Sequence, residues 1–134
     1  MKKCIVFYED WQMKCCGEEF SVNSKIKWFV CNGRKIKFPF KTERIDYYYD
    51  VHEFDDKKHF VLEGEIKEIK AVYQKYKVSS KNPEVLVGVD GILYDIKSSK
   101  DVVDTKNKMI FLGYLVYVEN FSVRSTTKKE FISL

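Results

Sequence analysis

The chain has 134 residues and a formal net charge of +4; 45% of its residues are hydrophobic and 16% aromatic, with only six glycines and two prolines. This composition excludes a disordered chain and a fibrous or linker protein, and it supplies enough apolar material for a core without help from a metal or a disulfide. Acidic and basic residues are interspersed, so the charge permits a polyanionic partner without favouring one.

The pattern along the chain is mainly that of β-strands, and it begins with a short buried strand at Lys3 to Tyr8. Alternating apolar and polar side chains predict a half-buried strand at Lys25 to Cys31. Asn32-Gly33 follows and predicts a type I′ hairpin turn, because both positions of that turn need a positive φ. The return strand is expected at Lys35 to Phe40.

The segment Phe60 to Val78 fits both a helical and a strand spacing. Gly64 and the β-branched residues favour a long bent strand, with a bulge near Lys67 to Lys70. Asp90-Gly91 between two apolar runs then predicts a second hairpin.

Met109 to Val118 is the most apolar segment and predicts a central strand, in which Gly113 indicates a bulge or a close approach of two backbones. Glu9 to Glu19 reads as a polar connection that contains a turn, and Thr42 to Lys58 is compatible with a short helix or an irregular loop. We therefore predict a mainly β fold for residues 1–134: a single antiparallel barrel-like or sandwich domain of about seven short strands with little helix.

The sequence favours a cytoplasmic location. Its apolar runs fall short of the roughly 20 residues of a spanning helix, and the first run ends at Glu9 before it reaches the length of a signal peptide. The four cysteines are then expected to be free thiols, and Cys4 and Cys31 read as small apolar residues within strands.

The most unusual stretch runs from Tyr8 to Phe20 and contains Asp10-Trp11-Gln12 and Cys15-Cys16-Gly17. With these residues the chain resembles a family of small uncharacterised bacterial proteins that share an Asp-Trp-Gln, Cys-Cys-Gly and Phe pattern. The family often has a proline before the phenylalanine, where this chain has Glu19. The resemblance implies a shared domain of unknown function and no particular activity.

The adjacent Cys15 and Cys16 allow three interpretations. A reactive thiol would need a nearby cation or a helix N-terminus, and Lys14 is adjacent. A zinc site could draw ligands from these cysteines, Cys4, Cys31 and the two histidines, but the spacing of Cys pairs typical of structural zinc is absent. The third interpretation is ordinary packing, which we favour, so no metal or cofactor is assigned.

Other residues with chemical potential lie in the connection that follows. Asp46, Asp50 and His52 fall within seven positions and could form an acid–base or metal group, but we favour a solvated, charged loop because no helix face fixes their spacing. Separately, Tyr73 interleaved with Lys75 and Lys77 is a pattern that single-stranded nucleic-acid binders use, and also one found on ordinary solvated strands.

No nucleotide-binding loop, nucleophile elbow or zinc-protease helix is present in the sequence, which argues mildly against an enzyme. We therefore expect a non-enzymatic binding module whose partner is unidentified, with another protein as one candidate. The alternatives are a thiol- or metal-dependent protein centred on Cys15 and Cys16, and a weak binder of single-stranded nucleic acid. The candidate binding residues are Trp11, Gln12, Cys15, Cys16, Gly17, Tyr47, Tyr48 and His52.

Overall fold

The structure is a computed structural model and describes residues 2–32, 36–52, 54–55 and 57–133. Its elements in chain order are β1 (Lys3–Glu9), α1 (Asp10–Cys16), β2 (Lys25–Cys31), β3 (Tyr47–Tyr49), β4 (His59–Val78), β5 (Leu86–Ile96), β6 (Thr105–Lys106), β7 (Met109–Ser125) and α2 (Lys128–Ile132). The prediction of a mainly β fold with little helix is confirmed, and neither helix is long and apolar enough to cross a bilayer within the described residues.

The described strands form one sheet of seven that curves into a partial ring rather than a complete barrel. β4 pairs antiparallel with β7 along one edge, and its other edge is shared in succession by β2 and β5. The ring continues from β2 through β3 and β1 to β7, with β1 and β3 parallel. The parallel pair β1 and β3 is the exception to the antiparallel arrangement expected from the sequence.

β1 lies at the centre of the core, because five consecutive residues of it, from Cys4 to Tyr8, are buried. Alternate side chains point to opposite faces, so Cys4, Val6 and Tyr8 join the main core cluster and Ile5 and Phe7 join a second one. The continuous apolar run in the sequence is the signature of a strand covered on both faces.

The long bent strand predicted over Phe60 to Val78 is confirmed as β4. Its register with β7 shifts between Glu63 and Glu65, between Ile66 and Glu68, and between Val72 and Tyr73. The second shift lies at Lys67, the first residue of the region where a bulge was predicted. Bulges increase the local twist of a strand, and this twist allows one edge of β4 to pair first with β2 and then with β5.

The second predicted hairpin is wrong. Asp90 and Gly91 lie inside the continuous strand β5, and the chain reverses instead at residues 79–85, where the Ser79 amide donates to the Val85 carbonyl at 2.8 Å. Gly91 serves packing rather than turning, because a Cβ there would collide with the ring of Phe40.

The return strand of the first predicted hairpin is not formed, and the turn of that hairpin falls partly outside the described residues. Residues 33–35 lie outside the described residues, and residues 36–40 are not a strand; β2 pairs instead with β3 and β4. The predicted alternation survives, since Ile36, Phe38 and Phe40 all pack against the second core cluster.

Gly64 is required where β4 bulges against β7. A Cβ at Gly64 would lie 2.5 Å from Val118 Cγ1 and 3.1 Å from the carbonyl oxygen of Glu119. We expect Gly64→Ala to lower the free energy of unfolding by about 2 kcal/mol through overpacking. Urea denaturation followed by tryptophan fluorescence measures this change.

Gly88→Ala is the matched control, because a Cβ at Gly88 would meet only the end of the Gln74 side chain, which can move. Both substitutions reduce the freedom of the unfolded chain equally, so that contribution cancels in the comparison. Equal stability of the two variants would contradict the packing role of Gly64.

Candidate functional site

The first functional feature is the helix α1, which follows β1 directly and which the sequence prediction missed. It has only seven residues, and Glu9 at its N-cap makes no side-chain cap hydrogen bond, so neither length nor capping marks it in the sequence. Its stability comes from tertiary contacts. The side chain of Gln12, 1% exposed, donates to the Tyr49 carbonyl at 2.9 Å and accepts from the Val51 amide at 3.3 Å.

Gln12 thus completes the end of β3 as a neighbouring strand would, and it fixes the position of α1. Trp11, the preceding residue, consequently projects outward and is 45% exposed. Its indole Nε1 donates to Glu9 at 2.8 Å, and its ring meets that of His52 edge to face at 4.7 Å between centroids. The indole is held in one orientation on the surface.

Cys15 and Cys16 lie at the exposed end of α1, and the structure brings His52 to them. One possible ligand atom from each of the three residues lies within 4.8 Å of the others. The two sulfur atoms form a disulfide between adjacent residues, so the expectation of four free thiols is wrong for this pair. As a disulfide, neither sulfur is a nucleophile or a ligand.

A cleft of about 1180 Å³ opens beside Trp11. Three of the sequence candidates, Trp11, Gln12 and His52, line it. Its remaining lining residues are Cys31, Asn32, Asp50, Phe54, Asp55, Lys58, His59, Thr126, Thr127 and Lys128.

The buried end of this cleft holds a second group of side chains that sequence reasoning did not assemble. Cys31 is 4% exposed and His59 is 3% exposed, and half-buried Asp50 lies beside both. Asp50 and the two partners come from different strand ends, and their proximity depends on the pairing of β2 with β3 and β4. No spacing in the sequence signals that pairing.

The chain after β7 also lines the cleft, with Thr126 and Thr127 before α2. Thr127 caps α2 by accepting from the Glu130 amide at 3.2 Å. Hydrogen bonds from Arg124 and Thr126 lower the pKa of Glu130 to about 2. These contacts place Phe131 of α2 over Phe29 and His59, with ring centroids 5.2 and 5.4 Å away.

The other sequence candidates lie away from the cleft. Tyr48 is 6% exposed in the second core cluster, and Tyr47 packs against the main core cluster. Gly17 ends α1 where a Cβ would collide with the Tyr8 hydroxyl, so it serves packing. The Asp46 carboxylate accepts from the Ile5 amide at 2.9 Å and does not join the cleft.

The face considered for nucleic-acid binding lacks the expected aromatic platform. Tyr73 is 2% exposed, and its hydroxyl donates to the Val103 carbonyl at 2.9 Å. A ring in the core cannot stack on a base, so Lys75 and Lys77 are left without that partner on their strand.

The chain belongs to a family of unknown function, DUF6578, whose model matches residues 2–120. Membership in such a family was predicted from the sequence and is confirmed; the Cys-Cys-Gly motif as a family signature and the bacterial origin stay predictions. The match includes α1, the strands that bear the cleft and its buried residues, but not α2. No curated protein and no solved structure matches the chain significantly.

The role of Gln12 is open to a direct test. Gln12→Met keeps the side-chain volume but leaves the Tyr49 carbonyl and the Val51 amide without their partner. We expect a loss of about 2 kcal/mol in the free energy of unfolding, because buried polar groups without hydrogen bonds are costly. Thermal and urea denaturation of the variant measure it.

Gln74→Met is the matched control. Gln74 is also buried, at 8% exposed, and its Oε1 has no hydrogen-bond partner among the described residues. Removing that amide should leave stability unchanged or slightly higher. If Gln12→Met proved as harmless as the control, Gln12 would not anchor α1.

Proposed function

We propose that this protein is a binding module that holds an extended segment of a partner protein in the cleft, with Trp11 as the principal contact. The observation that carries the proposal is an exposed indole kept in one orientation by Glu9, His52 and the anchored helix α1. Tryptophan is enriched among the residues that dominate interface energetics, and a preoriented ring loses little entropy on binding.

The dimensions and charges of the cleft support a polypeptide ligand. Its volume of about 1180 Å³ exceeds the roughly 300–1,000 Å³ typical of small-molecule pockets. Asp55 and Lys58 contribute opposite charges to its lining, and Thr127 and Lys128 add a hydroxyl and a cation. Such a lining suits the mixed polar groups of a peptide better than a uniformly charged ligand. The proposal retains the cytoplasmic location expected from the sequence.

A second candidate function is thiol chemistry at Cys15 and Cys16, which the position of His52 favours. It requires a reductant to open the disulfide, after which His52, with a ring nitrogen within 4.8 Å of both sulfurs, would need only a small movement to reach hydrogen-bond distance of a thiol. Rapid alkylation of the reduced pair at about pH 6 would indicate thiolates of lowered pKa and favour this function.

The binding proposal predicts the outcome of a displayed random-peptide selection. The wild-type protein should enrich a family of peptides, and Trp11→Ala should weaken their binding at least tenfold, about 1.4 kcal/mol. His52→Ala should also weaken them, because it removes the ring that supports the indole. Fluorescence polarisation with synthesised peptides measures both losses.

Leu86→Ala is the control, since Leu86 is also exposed, at 62%, but lies on β5, outside the cleft. It should bind the selected peptides as the wild type does. Enrichment of no peptide by the wild type, or of peptides that bind all the variants equally, would refute the proposal.

A further inference from the structure

We propose that Cys31, Asp50 and His59 bind one Zn²⁺ ion at the buried end of the cleft and leave its fourth coordination position facing the cleft. This goes beyond the proposed binding of a peptide and does not depend on it, since the ion would be held with or without a partner. The proposed ligands are Cys31 Sγ, His59 Nε2 and one carboxylate oxygen of Asp50.

The sheet brings the three residues together. Cys31, the last residue of β2, pairs directly with His59, the first residue of β4. Residues directly opposite on antiparallel strands present their side chains on the same face, about 5 Å apart. Asp50 follows β3, and its amide donates to the Phe29 carbonyl of β2 at 3.2 Å, which sets it beside the pair.

The two separations at Asp50 are a few tenths of an ångström longer than those of a tetrahedral zinc site. Asp50 Oδ2 lies 3.9 Å from Cys31 Sγ and 3.7 Å from His59 Nε2, and the three groups present ligand atoms within 4.8 Å of one another. Metal–ligand distances of about 2.0–2.3 Å give ligand–ligand separations of roughly 3.3–3.8 Å in a tetrahedron. Adjustments of a few tenths of an ångström at Asp50 would suffice for its two separations.

The buried imidazole supplies an independent indication of a ligand. His59 Nε2 is buried and has no hydrogen-bond partner among the described residues, although it faces the Asp50 carboxylate. Polar atoms buried without a partner are uncommon in folded proteins, because each one loses its hydrogen bonds to water and gains none in return. A metal ion at this point would satisfy the nitrogen.

The environment of His59 holds its ring in place for this role. The Asp55 amide donates to Nδ1 at 2.9 Å, and the Asp55 carbonyl oxygen lies 3.2 Å from the same nitrogen. Zinc binding through Nε2 would move the ring proton to Nδ1, where the carbonyl accepts it in place of the bond from the amide. When Nδ1 carries the proton and donates it to the carbonyl, Nε2 presents a lone pair to the metal. The rings of Phe54 and Phe131, 5.6 and 5.4 Å away, pack around the imidazole.

The order of the three groups distinguishes a metal site from a catalytic triad. In a Cys–His–Asp triad the carboxylate holds the histidine nitrogen that points away from the thiol. Here the Asp50 carboxylate lies next to the thiol and to His59 Nε2 at once, while Nδ1 is engaged by Asp55. The thiol, the imidazole nitrogen and the carboxylate therefore lie close to one another as ligands of one ion do, rather than in the linear order of a proton relay.

The donor set selects the class of ion. Thiolate, imidazole and carboxylate are the three ligand types of zinc, whereas Ca²⁺ and Mg²⁺ prefer oxygen ligands throughout. Three protein ligands with one open position are typical of zinc sites that also bind water or an exogenous ligand. The open position would face the cleft lined by Thr126 and His52.

Titration of the metal-stripped full-length protein with Zn²⁺ and with Co²⁺ tests this proposal. We expect one Zn²⁺ per chain by isothermal titration calorimetry, and a thiolate-to-cobalt charge-transfer band with Co²⁺. Both the stoichiometry and the band are measured on the wild type, so they do not depend on a variant that folds. No zinc uptake, or cobalt binding without a thiolate band, would overturn the proposal.

Three substitutions assign the site: Cys31→Ser, Asp50→Asn and His59→Asn. Each should weaken zinc binding at least a hundredfold, and Cys31→Ser should abolish the cobalt band. Zinc should also raise the melting temperature of the wild type but not of Cys31→Ser, because only a folded state that binds the ion is stabilised by it. Circular dichroism identifies the variants that fold, and zinc affinity and the cobalt band are compared only among those variants.

Two controls locate the ion within the chain. Cys4→Ser alters a thiol that is equally buried, at 2% exposed, but lies in β1 away from the cleft, and burial raises the pKa of that thiol to about 12. The double substitution Cys15→Ser and Cys16→Ser removes the surface pair near His52. Both controls should retain full zinc affinity and the cobalt band. Loss of zinc binding in the double variant alone would show that the ion binds at the surface cluster, and would refute the assignment.

Discussion

The long strand β4 is the constraint on which the rest of the structure depends. One of its edges pairs with β7 over most of its length, and the other edge is divided between β2 and β5. A straight strand could not pair with β2, β5 and β7 in a curved sheet, because each pairing imposes its own twist. The bulges next to Gly64 and at Lys67 supply the extra turn, and Gly64 permits the close approach of β7. The curvature of the sheet into a partial ring in turn buries β1 on both faces.

The cleft is a consequence of how this ring ends. β3 has only three residues, so the sheet is incomplete beside its last residue, Tyr49. The side chain of Gln12 takes the hydrogen bonds that a longer neighbouring strand would have made there. Helix α1 is thereby held beside the end of β3, and residues of α1 and Lys128 of α2 both line the cleft. The same local defect thus presents Trp11 outward and leaves Asp50 beside the ends of β2 and β4.

The two proposals concern different ends of one cleft. The rim offers a large apolar ring with charged neighbours, which is suited to a polypeptide surface. The buried end offers sulfur, nitrogen and oxygen donors surrounded by phenylalanine rings, which is suited to a metal ion. An open coordination position would give a bound peptide a polar contact in the interior of the cleft, so the two sites would be compatible in one complex. The surface disulfide at Cys15 and Cys16 lies near the rim through His52 and is separate from the buried donors.

The sequence by itself determined the strand-rich class, the buried first strand, the long bent β4 and the apolar β7, because these follow from local side-chain patterns. It also drew attention to Trp11, Gln12 and His52, whose residue types are unusual in a connection. It misplaced the Asp90-Gly91 hairpin, since Asp-Gly indicates only that a turn is permitted, and Gly91 is needed instead for contact with Phe40. It also expected a return strand over residues 36–40 that the structure does not form. Only the tertiary structure decided that β2 pairs with β4 and so sets Cys31 opposite His59. The physical reason is that strand pairing joins residues distant in the chain, and local periodicity carries no information about which strands become neighbours.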